Sequence, residues 1–298
     1  MASIMSKVAW LVLRTNGYKK MGGDPAARAA YFEKLRELNR QPAELPVKKI
    51  RSQIGREEID GVETIWLEKG RRKLVLYLHG GSYCEAPVPQ HWQLCDRIAR
   101  ETDASVVFPL YKRAPEHRFE ETFAFLHGLW ERLAESVGAE HIAMIGDSAG
   151  GGLALAFAEY LLRETALPQP GQIVLFSPWL DIGMETEIPE KLARQDPTLV
   201  RDMLRDAGRN WAGSTDTRDY RLSPLFGELT GLAPLTLYVG THEIFLPDAR
   251  SLKARCEREG VTLRYVEGEK MNHAYALYPI PEGARVRAEV IAAIRQMP

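Results

Sequence analysis

At 298 residues the chain is long for one average domain but ordinary for a single α/β sheet protein with insertions. Apolar residues make up 45 % and charged residues 27 %, a globular composition with enough apolar side chain for a large central core. The formal net charge of −1 gives no reason to expect nucleic acid, an anionic membrane or an acidic partner.

In chain order, Lys7 precedes a short apolar run, Val8 to Leu13, which Arg14 interrupts. The run is too short for a secretory core and has no small-residue cleavage signal after it. No stretch reaches the length of a membrane-spanning helix, and no strongly amphipathic basic anchor stands out. Residues 1–46 read as helical: Asp24-Pro25 is a start signal, and Tyr31, Leu35 and Leu38 recur at helical spacing until Pro42. Strands are expected over 48–54 and 62–68, separated by a charged turn containing Gly61. Short apolar runs at 74–78, 105–110, 142–145, 173–176, 235–239 and 263–266 then alternate with helical segments at 92–101, 121–136, 149–163, 248–259 and 283–296. That alternation predicts a parallel sheet buried on both faces, with right-handed crossovers. Residues 183–220 break the rhythm and carry an amphipathic segment of their own, with Leu199, Val200, Met203 and Leu204 on one side. The domain expectation is an N-terminal helical cap segment, 1–46, and a catalytic domain, 47–298, with a cap insertion around 183–220. Cys84, Cys95 and Cys256 are sparse, odd in number and without metal-type spacing. They fit a reducing compartment, so a soluble cytoplasmic protein is expected.

The strongest chemical signal is Gly146-Asp147-Ser148-Ala149-Gly150-Gly151, between an apolar strand and an Ala- and Leu-rich helix. A Gly-x-Ser-x-Gly in that setting is a nucleophile elbow, a turn so sharp that only small neighbours fit. It lifts the Ser148 hydroxyl to the sheet edge beside a helix N-terminus, where negative charge is stabilised. Cys84 is a weaker rival nucleophile. Acyl transfer also needs donors already aimed at the developing oxyanion. His79-Gly80-Gly81-Ser82 closes an earlier strand, and the N–H groups of Gly80, Gly81 and Ala149 are the expected oxyanion hole. His79 itself is expected to brace the loop. A serine hydroxyl further needs a base, oriented in turn by an acid, in the chain order nucleophile, acid, histidine. Only His242 and His273 fall late enough, and His273 sits in the loop after the last strand. Glu243 and Asp248 compete for the acid. Glu243 directly follows its strand at the sheet's carboxyl edge, whereas Asp248 reads as the cap of the next helix.

With these residues in place the chain resembles the hormone-sensitive-lipase-like family of microbial esterases, from about residue 74 to the C-terminus. Beyond the elbow and glycine loop, the resemblance is carried by Tyr111-Lys112-Arg113-Ala114-Pro115-Glu116-His117, Ser177-Pro178-Trp179-Leu180-Asp181 and Ser223-Pro224-Leu225. It implies an eight-stranded α/β-hydrolase fold, mostly parallel, with a helical cap and activity on short- to medium-chain carboxylic esters. It carries the nucleophile onto Ser148, the base onto His273, the oxyanion glycines onto Gly80 and Gly81, and the acid onto Glu243, where the family commonly has Asp. Family members often dimerise, which leaves room for a homodimer. Two departures stand out: Ser82 replaces the third glycine of the family's His-Gly-Gly-Gly, and Lys112-Arg113 replaces its Arg-Leu.

The expected protein is therefore a Ser148–His273–Glu243 carboxylesterase with no metal or organic cofactor. Tyr83, Met203 and Trp211 are candidates for the pocket wall. A lactone hydrolase, deacetylase or amidase with the same triad is the rival within the fold. A non-catalytic ligand-binding protein on the same scaffold is the rival outside catalysis.

Overall fold

The computed structural model describes residues 2–15 and 18–298. Eight strands form one sheet: β1 (Ile54–Ile59), β2 (Val62–Leu67), β3 (Lys73–Leu78), β4 (Ala104–Pro109), β5 (Ile142–Asp147), β6 (Gln172–Phe176), β7 (Leu235–Gly240) and β8 (Leu263–Gly268). Their spatial order is β1-β2-β4-β3-β5-β6-β7-β8. The pairs β1–β2 and β2–β4 are antiparallel and the rest parallel.

The central strands are apolar throughout because helices cover both faces. Along β3, Leu74, Leu76 and Leu78 point into one core and Val75 and Tyr77 into the other. Ile142 and Met144 alternate in the same way with Ala143 and Ile145 along β5. The first core is closed by α5 (Phe119–Val137), α6 (Ala149–Glu164) and α9 (Leu246–Glu259). The second is closed by α4 (Pro89–Glu101) and α10 (Pro281–Gln296). Leu76 and Val75 are fully buried; each such side chain contributes roughly 1.5–3 kcal/mol.

Ahead of the sheet lie α1 (Ile4–Arg14), α2 (Tyr18–Gly22) and α3 (Pro25–Asn39). Asp24 caps α3 by accepting from the Ala26 N–H at 2.9 Å, as Asp24-Pro25 signals, and the helix ends three residues before Pro42. Within 183–220 run α7 (Glu190–Gln195) and α8 (Arg201–Ala212), the latter burying Met203 and Leu204.

Three expectations are corrected. The strand read at 48–54 begins only at Ile54; Val47–Lys49 is a single 3₁₀ turn. The two-residue turn Asp60-Gly61, both at positive φ, sets the register by pairing Ile59 with Val62. That carries the charged Arg56-Glu57-Glu58 into an edge strand, where charge is tolerated and protects against edge pairing. At the other edge, β8 has no residue fully shielded, since it has only one neighbouring strand. Asp248 does not cap α9: the helix starts at Leu246, and Asp248 lies buried in its first turn. Burial raises its carboxyl to about 7, against a hydrogen bond from Thr186.

Candidate active site

The elbow is built by close approach. A Cβ on Gly146 would stand 2.2 Å from the Gly150 carbonyl oxygen, and one on Gly150 would stand 2.0 Å from that of Leu78. The turn leaves Ser148 at φ 52° and ψ −122°, a conformation that costs a non-glycine residue and persists only when its surroundings over-determine it. They do: the Ser148 N–H donates to the Phe176 carbonyl at 2.9 Å, and the Ser148 carbonyl accepts from Trp179 at 2.9 Å and Gly152 at 3.0 Å. The Ser148 side chain makes no capping bond to α6.

Ser148 and His273 line one cavity of about 350 Å³. His273 Nδ1 lies 2.6 Å from Glu243 Oε2, and Glu243 is fully buried. A carboxylate only accepts, so the proton between them sits on Nδ1 and leaves Nε2 as an acceptor. The second Glu243 oxygen accepts from the Ser177 hydroxyl at 2.7 Å and from the Gly240 N–H. The Ser177 oxygen in turn accepts from the Ala274 N–H at 2.9 Å. One serine thus ties the acid loop to the histidine loop. Burial by itself would lower His273. The Glu243 hydrogen bond and charge, with Asp196 and Asp147, outweigh it and hold the imidazole above its ordinary value.

Glu243 is therefore the carboxylate in contact with His273, while Asp248 is buried in the first turn of α9. His242 is partly exposed and pushed down by burial and by Lys270 and Lys191, and its backbone N–H donates to the Met271 carbonyl at 2.9 Å. His79 is buried, with Nδ1 bonded to its neighbour's carbonyl at 2.7 Å and its ring stacked 4.4 Å from Tyr111. Burial, with His91 nearby, lowers His79 to about 3. It braces the loop as a neutral ring.

The glycine loop differs from expectation at one donor. The Gly80 N–H already donates to Asp147 Oδ1 at 3.1 Å, so it does not face the cavity as a free donor. Asp147 also accepts from the Tyr77 hydroxyl at 2.8 Å and bonds His91 Nε2 at 3.1 Å. Burial pushes this carboxyl up, but those partners hold it below the usual range. Among the described residues, no acceptor within the protein is found for the N–H groups of Gly81, Ser82 and Ala149. Gly81 and Ser82 are both at positive φ (119° and 51°), a backbone region that glycine adopts freely and serine only at a cost. Ser82 stands where the resembled family has a third glycine, and a backbone donor there carries no side-chain signal in the sequence.

The cavity wall is apolar and comes from three places. Leu13, Tyr31, Phe32 and Leu35 come from α1 and α3; Leu199, Val200, Met203, Leu204 and Ala207 from the 183–220 insertion; Val88, Leu277 and Tyr278 from the sheet domain. Met203 is thus on the wall. Tyr83 and Trp211 are not among the lining residues. They stack face to face, ring centroids 4.5 Å apart, as fully buried packing beneath α8. Among the described residues no group of three or more His, Cys, Asp or Glu side chains is placed to hold a metal, and no helix is long and apolar enough to cross a membrane.

Strand–elbow–helix geometry on a mostly parallel eight-stranded sheet, with a late histidine on a buried carboxylate, defines a hydrolase scaffold. The family model for the alpha/beta hydrolase fold matches residues 75–277, and the chain belongs to that family. An acetyl-hydrolase of Streptomyces hygroscopicus is 34 % identical over 226 residues, covering 74 % of this chain and 75 % of that one. An ethyl acetate hydrolase of Pseudomonas putida is 32 % identical over 210 residues, 64 % of this chain and 62 % of its own. The crystal structure of an esterase from the bacterial hormone-sensitive lipase family, 26 % identical, superposes with a TM-score of 0.82 over 100 % of this chain and 99 % of that one. Within the family the chain falls with the hormone-sensitive-lipase-like carboxylesterases.

Proposed function

We propose that the protein hydrolyses short- to medium-chain carboxylic esters through an acyl-enzyme on Ser148, with His273 as base and Glu243 as its orienting acid. The observation that carries this reading is the 2.6 Å contact of His273 with buried Glu243, at the cavity that Ser148 also lines. His273 Nε2 takes the Ser148 proton as the hydroxyl attacks the ester carbonyl, then gives it to the departing alcohol. Water, deprotonated by the same nitrogen, cleaves the acyl-enzyme. The free N–H groups of Gly81, Ser82 and Ala149 are the oxyanion donors in this scheme, with Gly80 fixing the loop through Asp147. Residues 1–46 together with 183–220 act as the cap, which supplies most of the apolar wall. A cavity of about 350 Å³ suits a small acyl group, in keeping with relatives named for acetate esters.

Ser148→Ala is expected to lower kcat on p-nitrophenyl butyrate by at least about a thousandfold while the melting temperature stays within a few degrees. Near-wild-type turnover would remove Ser148 from the reaction. A panel varying acyl and alcohol size separately, with lactones and amides included, sets the substrate class, and fluorophosphonate labelling separates an activated serine from a binding scaffold.

A further inference from the structure

One buried carboxylate near the site has no part in the mechanism above. Asp196 ends α7, is 1 % exposed, and sits where three segments of chain converge. Its Oδ1 accepts from the N–H groups of Thr198 at 2.9 Å and Leu199 at 2.8 Å, both on the cavity wall. Its Oδ2 accepts from the N–H of Ile244 at 2.9 Å, the residue next to Glu243. From the N-terminal segment, Lys19 faces it electrostatically and anchors its own ammonium on the Ala193 carbonyl at 2.5 Å. The insertion is thus fastened to the acid loop through one side chain. The bond to Ile244 joins residues 48 positions apart.

We propose that Asp196 is a positioning residue for ester hydrolysis: it holds the Glu243 loop against the insertion. The inference rests on the reading of His273 as base and Glu243 as acid. Thr198 and Leu199 line the cavity, and the same carboxylate that orders those two residues orders the backbone beside Glu243. The group touches no reacting atom; it acts through its neighbours. The charged groups facing His273 are Glu243 from the loop after β7, Asp147 from β5 and Asp196 from the insertion. Removing one of the three negative charges makes the imidazolium less favourable.

Asp196→Asn removes the charge and turns an amide N–H₂ or a single oxygen toward donors that need two acceptors. The expected result is kcat reduced about tenfold on p-nitrophenyl butyrate with KM within about twofold, because misplacement of catalytic groups costs rate rather than binding. The acid limb of kcat/KM should also move to lower pH, since a less favoured imidazolium deprotonates earlier. Asp196→Glu keeps the charge but displaces the loop, so its kcat should fall while its acid limb stays where the wild type has it. A drop in melting temperature with kcat and acid limb unchanged in the Asn variant would reduce Asp196 to a structural cap and overturn the inference. If the Asn variant does not fold, the Glu variant decides: wild-type kcat there overturns the proposal and a reduced kcat supports it. The triad reading has its own control. Glu243→Gln with wild-type rate would sink that reading, whereas loss of rate there with wild-type Asp196 variants would sink only this inference.

Discussion

Imidazole in water titrates near pH 6.5, and only its neutral form can accept the Ser148 proton. His273 is held above that value because the Glu243 bond and charge, with Asp196 and Asp147, overcome the opposing effect of burial. The sign follows. Activity is present where His273 is neutral and is lost as pH falls through its raised pKa, so the acid limb of kcat/KM should lie above pH 6.5. Glu243→Gln removes the largest favourable contributor; it should lower kcat by about a hundredfold or more and bring the limb to lower pH. Profiles with p-nitrophenyl butyrate read both effects, and an unmoved limb in the Gln variant would mean that Glu243 does not face the titrating group. At this scale, what the sequence made legible was local chemistry. Ser148 announces itself through its neighbours, and chain order narrows the base to two histidines. The fate of the Gly80 N–H was hidden, because its acceptor, Asp147, lies 67 residues away and is chosen by the packing of two strands. Asp196 was hidden for the same reason: an Asp-Pro pair reads as a turn, and its link to Ile244 exists only in three dimensions.

Secondary elements were legible wherever the period was clear and the strand was covered on both faces. The second strand of the 54–67 hairpin lies where its apolar run predicts, while the first lies later, because at a sheet edge the charged Arg56-Glu57-Glu58 belongs to a strand and not to a turn. The join of β5 to α6 leaves little room for change. A methyl on Gly150 would stand 2.0 Å from the Leu78 carbonyl oxygen, with backbone rather than flexible side chain in the way. Gly150→Ala should therefore destabilise by about 3 kcal/mol, roughly 5 °C in Tm for a chain of this size, as overpacking does. Gly61→Ala is the natural comparison: its site is open space and only its φ of 76° is unfavourable, so it should cost about 1 kcal/mol. Equal losses in thermal melts would show that the elbow relaxes more readily than its contacts imply.

Across the whole molecule, the cavity is closed by parts far apart in sequence. Arg28 of α3 bonds Asp206 of α8 at 2.6 Å and the Gly22 carbonyl at 2.9 Å, and the Trp10 indole N–H donates to the Gln195 carbonyl at 2.8 Å. The bonds to Asp206 and Gln195 tie the N-terminal helices to the insertion, while Ser3 to Glu282 and Asn39 to the Cys84 and Ala114 carbonyls tie them to the sheet domain. Arg28→Ala should accordingly raise KM for hexanoate and octanoate esters several-fold, with kcat on acetate esters within about twofold and the Tm little changed. Parallel shifts in both substrates would place the effect in the sheet domain instead. Met203 lines the cavity, whereas Trp211 on the same helix stacks with Tyr83 in the core. Amphipathic spacing tells which face of a helix is apolar; it does not tell whether that face meets a cavity or a core.

The stacking of Tyr83 on Trp211 has a further consequence. Tyr83 also stacks on Trp179, with centroids 5.6 Å apart; Trp179 stacks on Phe245 at 6.1 Å, and Phe245 meets His273 edge-on at 5.1 Å. A row of aromatic rings therefore runs from the insertion to the base. Trp179 and Trp211 are fully shielded from water. If α8 lifts, the Trp211 indole is wetted while the sheet stays intact, so its emission should shift red before the far-ultraviolet dichroism changes. Because the chain has six tryptophans, the Trp211 contribution is read as the difference between the wild type and Trp211→Phe.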